Sequence, residues 1–395
     1  MSLRIAELVR AHAGPVRQRW PLSVEQQRTL RDIATCRTAV RGGHVELCAG
    51  CGYHHPFFNS CRNRHCPQCQ GDKEKAWVEA RLQRVVPLGH HQVVFTVPSE
   101  LRAVTFRFPR VMHAIQFAAA GQTLNQLAAT RLGARIGFTA LLHTWGRNLS
   151  YHPHVHCLVT GGGLRERPDG TTWVDASTFL FPVSVMRRVY RAKFLDKVDD
   201  AHRRGLIRFD DDPARSGRLL ASLKRKLRAK SWVVRIDVPE DRPVQQALRY
   251  LGRYVYRVAI TDSRLVSADR NQVTFRTRDT RTCTLTGVEF VRRLLMHVLP
   301  SGLRKVRHYG LYAPANKARR EVARQLVSGR PAPTASESET EVPPETEATE
   351  EPAPRRCPRC GEPLQRVAVD EWLAGLDDDA WHRHLFDLLS WEDDL

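Results

Sequence analysis

The stretch "YHPHVHCLVTGGG", Tyr151 to Gly163, places histidines at three alternate positions and then releases the chain into three glycines. An extended strand repeats its side-chain direction every second residue. On that reading His152, His154, His156, Leu158 and Thr160 share one face, while Pro153, Val155, Cys157 and Val159 share the other. The second set is apolar and suits a core. The first sets neighbouring imidazoles about 7 Å apart along the strand, within reach of a common ion. Neutral imidazole is a common transition-metal ligand. The glycines are expected to let a bulky partner such as DNA approach the backbone closely.

Around this strand the chain alternates between helical and extended patterns. "RIGFTALLHTW" (135–145) precedes it as the other arm of a hairpin; His143 and Trp145 could join the site or stack on a base, but are read chiefly as packing residues. Further strands are expected at "HQVVFTVP" (91–98), "SWVVRIDVP" (231–239) and "QVTFRTRD" (272–279). Helices are expected over 3–35, where "SVEQ" has capping-box spacing, and over 73–86, 99–133, 183–204 and 242–257. Another, from 287, should end at Pro300. The pattern is α+β. From 327 to 354 the sequence is Pro, Glu, Ser and Thr with little to bury, and reads as a disordered linker.

Charge divides the chain. Its net charge is +20, but residues 331–395 carry 5 Arg, no Lys and 17 acidic side chains, a balance of −12. The preceding 330 residues therefore carry +32. Such an excess points to a polyanion, and nucleic acid is the expected partner. With no long apolar run and no signal-peptide pattern at its charged start, the chain reads as a soluble, unsecreted cytoplasmic protein with no membrane partner.

Six of the ten cysteines crowd between Cys36 and Cys69. The knuckles Cys48-x-x-Cys51 and Cys66-x-x-Cys69, fourteen residues apart, are expected to bring four thiolates around one zinc ion. Cys36, Cys61 and His65, with His44 nearby, are further candidates for that site or a second one. Arg62, Arg64 and Lys73 lie close by in sequence and could contact phosphate. Cys357-x-x-Cys360 reads as a lone third knuckle in an acidic element that also holds Trp372. His382 and His384, ligands from another chain, or no metal at all are equally open for it.

The helix "QALRYLGRYVYR" offers Tyr250 and Tyr254, about 40° apart around its axis, with the apolar stripe lying mostly elsewhere. Gln246 stands one turn earlier on the same face, and Arg249, Arg253 and Arg257 add phosphate-binding charge.

Taken in order, "CRTAVRGGHVELCAGCG", "NSCRNRHCPQCQ", "HPHVH", "YLGRYVYRVAI" and "MHVLPSGLRKVRHYGLY" resemble the insertion sequence 91 family, the two-tyrosine HUH rolling-circle transposases. The resemblance spans roughly residues 30–312. It implies an HUH endonuclease domain, an antiparallel sheet with packed helices, preceded by a small zinc-binding module. The organisation expected is amino-terminal helices at 1–35, the zinc module at 36–70, a connecting helix at 71–90, the nuclease domain at 91–326, the linker, and an acidic element at 355–395. Carried over by position, His154 and His156 are the HUH pair for Mg²⁺ or Mn²⁺, with His152 or Gln246 as third ligand, and Tyr250 and Tyr254 are the nucleophiles. The implied bacterial, nucleoid-associated enzyme nicks and rejoins single-stranded DNA at transposon ends, and joins it to target DNA. A replication initiator or relaxase would share that chemistry. A non-catalytic zinc-ribbon DNA-binding protein would leave the histidines and tyrosines without a joint role.

Overall fold

The computed structural model describes residues 3–69, 78–81, 84–176, 178, 180–237, 259–278, 280–329 and 355–374. Its contacts divide the chain into two compact units. One comprises Met1–Gln70, Thr261–Leu295 and Pro333–Leu395; the other comprises Gly71–Ile260 and Met296–Ala332. The boundaries expected from sequence are thereby redrawn. Residues 261–295, assigned above to the nuclease domain, fold with the amino-terminal unit, because the helix Gly287–Leu295 packs on the helix Ile5–Arg19. The helix Val24–Ala34 begins at the capping box expected, with the Ser23 side chain accepting from the Gln26 amide.

Among its described residues the first unit contains two small antiparallel sheets. In one, β1 (Gly43–Leu47) pairs with β2 (His54–Phe58), and its other edge takes a carboxy-terminal strand, Gln365–Ala368. In the other, three strands between Leu265 and Thr286 form a meander.

The second unit is built on one mixed-length antiparallel sheet. Its strands are β3 (His90–Thr96), β4 (Arg135–Trp145), β5 (Tyr151–Arg167), β6 (Gly170–Asp175) and β7 (Val234–Asp237). A further strand, Val306–Gly310, pairs with the edge of β4. β5 is central, flanked by β4 and β3, with β6 pairing from Gly162 onward. The alternation read from sequence is realised as a two-faced sheet. Val155, Cys157 and Val159 join Val93 and Phe95 of β3 and Phe138, Ala140 and Leu142 of β4 in the main core. The helices Pro109–Leu127 and Val183–Arg203 cover that face with Phe117, Leu124, Tyr190 and Phe194. Burying a side chain of this size contributes roughly 1.5–3 kcal/mol, so the apolar half of β5 fixes which half faces outward. No helix among the described residues is long and apolar enough to cross a membrane.

The glycines serve the sheet rather than DNA. Gly161 to Gly163 are buried within β5. Gly162 has φ +155, and a Cβ there would stand 2.4 Å from the carbonyl oxygen of Val174 on β6. A Cβ on Gly163 would meet the Arg135 backbone at 3.0 Å. The close approach expected at these positions is made by neighbouring strands.

Candidate metal centre and nucleic-acid surface

The outward face of β5 gathers imidazoles. His143 on β4 lies directly across from His154 on β5, and Leu141 lies across from His156. Cross-strand partners share a face, so His143, His154 and His156 converge. Their ligand atoms all lie within 4.8 Å of one another. Ring centroids are 4.7 Å apart for His143 and His156 and 4.8 Å for His154 and His156. His143 is stacked on Trp145 at 4.6 Å, which sets the plane of its ring.

Proton positions favour metal binding. Burial pulls His154 down to about 4, and it pulls His156 down to about 3 with help from the neighbouring His154. Both rings are therefore neutral near pH 7, with lone pairs available. His154 Nδ1 donates to the His152 carbonyl at 2.6 Å, which leaves Nε2 as the lone-pair nitrogen. The Gln92 side-chain amide lies 3.0 Å from His156 Nδ1. Gln92 Nε2 donates to His156 Nδ1 in this contact, which fixes the orientation of the ring.

His152, offered above as a third ligand, is not part of this group. Its Nδ1 accepts from Arg102 Nη2 at 2.9 Å, and its ring turns toward that guanidinium. His143 takes the third position instead. The sequence carries a signal for it: in a hairpin of β4 and β5, a histidine on the first arm falls opposite one on the second. Gln246, Tyr250, Tyr254, Arg249, Arg253 and Arg257 lie outside the described residues, as does Lys73.

On the same outward face, Thr139 of β4 lies across from His308 of the Val306–Gly310 strand. Above them opens a cleft of about 310 Å³ lined by Arg81, Arg84, Thr139, His308, Lys317 and Arg320, among others. Burial and the positive charges of Arg81, Arg320 and Arg84 hold His308 down to about 4. Arg320 is lowered by burial and by Arg84 and Arg324. So many like charges at one cleft favour an anionic occupant.

The cysteines form two quartets, each with ligand atoms within 4.8 Å. One contains Cys36, Cys61, Cys66 and Cys69; the other contains Cys48, Cys51, Cys357 and Cys360. The single site expected from Cys48, Cys51, Cys66 and Cys69 is thus split, because the two knuckles lie in different quartets. In the first, Cys36 and Cys61 each bring sulfur to Cys69, at 3.4 and 3.5 Å. Hydrogen bonds from Cys61 and Cys66 pull Cys36 down to about 2, while the same crowding pushes Cys61 up to about 12. Four thiols sharing protons in this way are a donor set whose protons zinc displaces. His65 stays out of the group, its Nε2 accepting from Arg64 Nε at 3.3 Å. Arg62 is exposed beside the quartet and Arg64 is half-buried. The Cys357 knuckle is not lone.

Residues 137–320 match a family model described as "Putative transposase", and residues 8–97 match one described as "Transposase zinc-binding domain". "Putative transposase y4qJ" of Sinorhizobium fredii (strain NBRC 101917 / NGR234) is 38% identical over 373 residues, 90% of this chain and 92% of the relative. The chain belongs to the insertion sequence 91 family of transposases. "Transposase for insertion sequence element IS801" of Pseudomonas savastanoi pv. phaseolicola is 26% identical over 297 residues, 72% of this chain and 70% of the relative. No solved structure matches the transposase. The zinc-binding match contains the whole of the first quartet but only half of the second. The longer match contains the three histidines and much of the basic cleft. A structural zinc and a DNA substrate follow from the family and from these clusters.

Proposed function

We propose that this transposase nicks and rejoins single-stranded DNA at the ends of its element through a 5′-phosphotyrosine, in rolling-circle transposition. The observation that carries the reading is the trio His143, His154 and His156, two buried and one half-buried, converging from two adjacent strands, with burial holding His154 and His156 neutral. Three imidazoles suit a divalent transition metal such as Mn²⁺, and Mg²⁺ could be held by the same groups with water completing its shell. Such an ion, when bound, withdraws charge from the scissile phosphate and so stabilises the pentacovalent transition state. Cys36, Cys61, Cys66 and Cys69 hold the structural zinc in this reading.

Tyr250 and Tyr254 supply the nucleophiles. A phenol oxygen bonds to phosphorus as the bond from phosphorus to the 3′-oxygen breaks. The phenolic proton leaves, the 3′-oxygen gains one, and the 5′ end stays on the protein as a phosphodiester. One P–O bond replaces another, so the strand can be rejoined to a target without ATP. A phenol, with pKa near 10, is a competent leaving group for the return step. Two tyrosines let one protein hold one end while it cleaves a second. The basic cleft around Arg84 and Arg320 lies on the histidine face of the sheet and suits a neighbouring phosphate of the same strand.

The test is covalent capture. The protein is incubated with single-stranded DNA carrying element ends and Mg²⁺ or Mn²⁺, then denatured and resolved by size. A denaturation-resistant adduct is expected, absent in the Tyr250→Phe, Tyr254→Phe double variant. No adduct on any end, or an adduct undiminished in that variant, sinks the mechanism.

A further inference from the structure

The second cysteine quartet draws on residues that the zinc-binding match does not reach. Cys48 and Cys360 are 312 positions apart in sequence, yet their sulfurs lie 3.3 Å apart. Cys51 and Cys357 lie 3.6 Å apart. Both separations are far beyond a disulfide bond of about 2.05 Å. They are close to the roughly 3.8 Å edge of a tetrahedron with Zn–S bonds of about 2.3 Å.

The backbone is prepared for an ion on both sides. In the first knuckle the Cys48 amide donates to the Tyr53 carbonyl, and the Gly52 amide donates to the Cys48 carbonyl. In the other, the Cys357 amide donates to Glu362 and the Gly361 amide to Cys357, the same two bonds at the same offsets. Gly52 and Gly361 occupy equivalent positions with φ +67 and +80, where a side chain would be strained. The Arg359 amide also points at Cys357 Sγ, 3.4 Å away, a contact that favours the thiolate. Two matched turns therefore face each other and present four sulfurs to one point.

We infer that Cys48, Cys51, Cys357 and Cys360 bind a second zinc ion, which clamps the carboxy-terminal segment 355–374 onto the amino-terminal zinc module. Around that point the remaining contacts are ring and ion pairs, Trp372 with His54, Arg355 over Phe57, Arg359 over Tyr53 and Arg366 with Glu46, together with a short strand and a small apolar cluster. Gln365–Ala368 adds a four-residue strand to β1, pairing His44 with Ala368 and Leu47 with Gln365. Among the described residues, the apolar cluster there buries Cys48, Cys357 and Leu364, with Tyr53 packed against them. A core this small does not hold a short segment on its own, and a tetrathiolate ion supplies what it lacks. The metal therefore governs whether the segment is docked.

The test uses the full-length chain, purified under reducing conditions, with zinc measured by mass spectrometry. Two zinc ions per chain are expected, falling to one in Cys357→Ser, Cys360→Ser while the first quartet keeps its own. A second measurement avoids substitution of any cysteine. A specific protease site is placed between residues 331 and 354, the chain is cut, and the products are passed over a sizing column. The carboxy-terminal piece is expected to co-elute with the body, and a zinc chelator to release it. One zinc per chain in the intact protein, two in the double variant, or release of the piece with two zinc ions still bound overturns the inference. None of these readouts depends on DNA cleavage, so the clamp and the tyrosine chemistry stand or fall separately.

Discussion

Exchanging His143 and His152 in turn tests the assignment of the histidine face. Two nitrogens on one ion, each about 2.0–2.2 Å from it, are separated by roughly 3–4.3 Å. The atoms offered by His143, His154 and His156 lie within 4.8 Å, so ring movements of an ångström or less bring them onto a common ion. His152 is held by Arg102 instead. Removing a partner that merely orients a ligand costs roughly 10–100-fold in metal affinity. Losing a ligand should cost at least about 100-fold, or about 2.7 kcal/mol. Metal-stripped protein is titrated with Mn²⁺ and followed by calorimetry. His143→Ala should lose at least that factor, while His152→Ala should stay near wild type. His143 is 1% exposed and stacked on Trp145, so its removal also loosens packing. The bulkier His143→Gln, with a thermal unfolding midpoint measured for each variant, separates the two effects. Wild-type affinity in both His143 variants, or an equal loss in His152→Ala, refutes the assignment.

Acid should destabilise the second unit before its carboxylates protonate. Burial holds His90, His113 and His297 down to about 4, against 6.5 when unfolded. The unfolded chain then binds more protons between these values, so stability is full above pH 6.5 and falls as pH drops toward 4, by up to about 3 kcal/mol for each ring. Urea midpoints at pH 7, 6 and 5 should decline in order, and a flat series contradicts this account. Gly162→Ala should cost at least about 2 kcal/mol, from backbone strain and the clash with Val174, and a chemical-denaturation midpoint equal to wild type rejects the packing role. Arg84→Ala with Arg320→Ala should weaken single-stranded DNA binding equally for unrelated sequences. The slope of log affinity against log salt should become shallower by about 0.7 for each phosphate that the variant no longer neutralises, and an unchanged slope removes the cleft from the DNA path.

What the sequence disclosed was mostly local. Alternation in residues 152–160 was enough to separate the core face from the histidine face, because burial of Val155, Cys157 and Val159 leaves the strand no other register. The helix Val183–Arg203 and the capped start of Val24–Ala34 were legible for the same reason. Relations between distant segments were not. Nothing local to Cys48 distinguishes Cys66 from Cys357 as a partner, since all three belong to knuckles of equal span. His143 sits in an apolar run; the hairpin pattern brings it near the histidine strand, but the register that sets it opposite His154 comes from the fold. The glycines after Thr160 were legible as places of close approach, but the approaching atoms belong to β4 and β6.

The long central strand constrains mutation in a way that substitution tables do not capture. β5 runs seventeen residues, paired on one side by β4 from Tyr151 to Leu164 and on the other by β3 from His154 to Thr160 and then by β6 from Gly162 to Arg167. An in-frame loss of a single codon between Tyr151 and Gly163 would preserve almost every residue type. Downstream of the loss, however, each side chain would have to exchange faces or the ladder would have to slip. Either His154 and His156 would turn into the core or the glycines would leave the positions that β4 and β6 need. The spacing of this strand is thus as much a part of the histidine site as the imidazoles themselves, and changes of length are tolerable only at its turns. A copy of the element with an intact reading frame but one residue missing here would encode a protein already silenced.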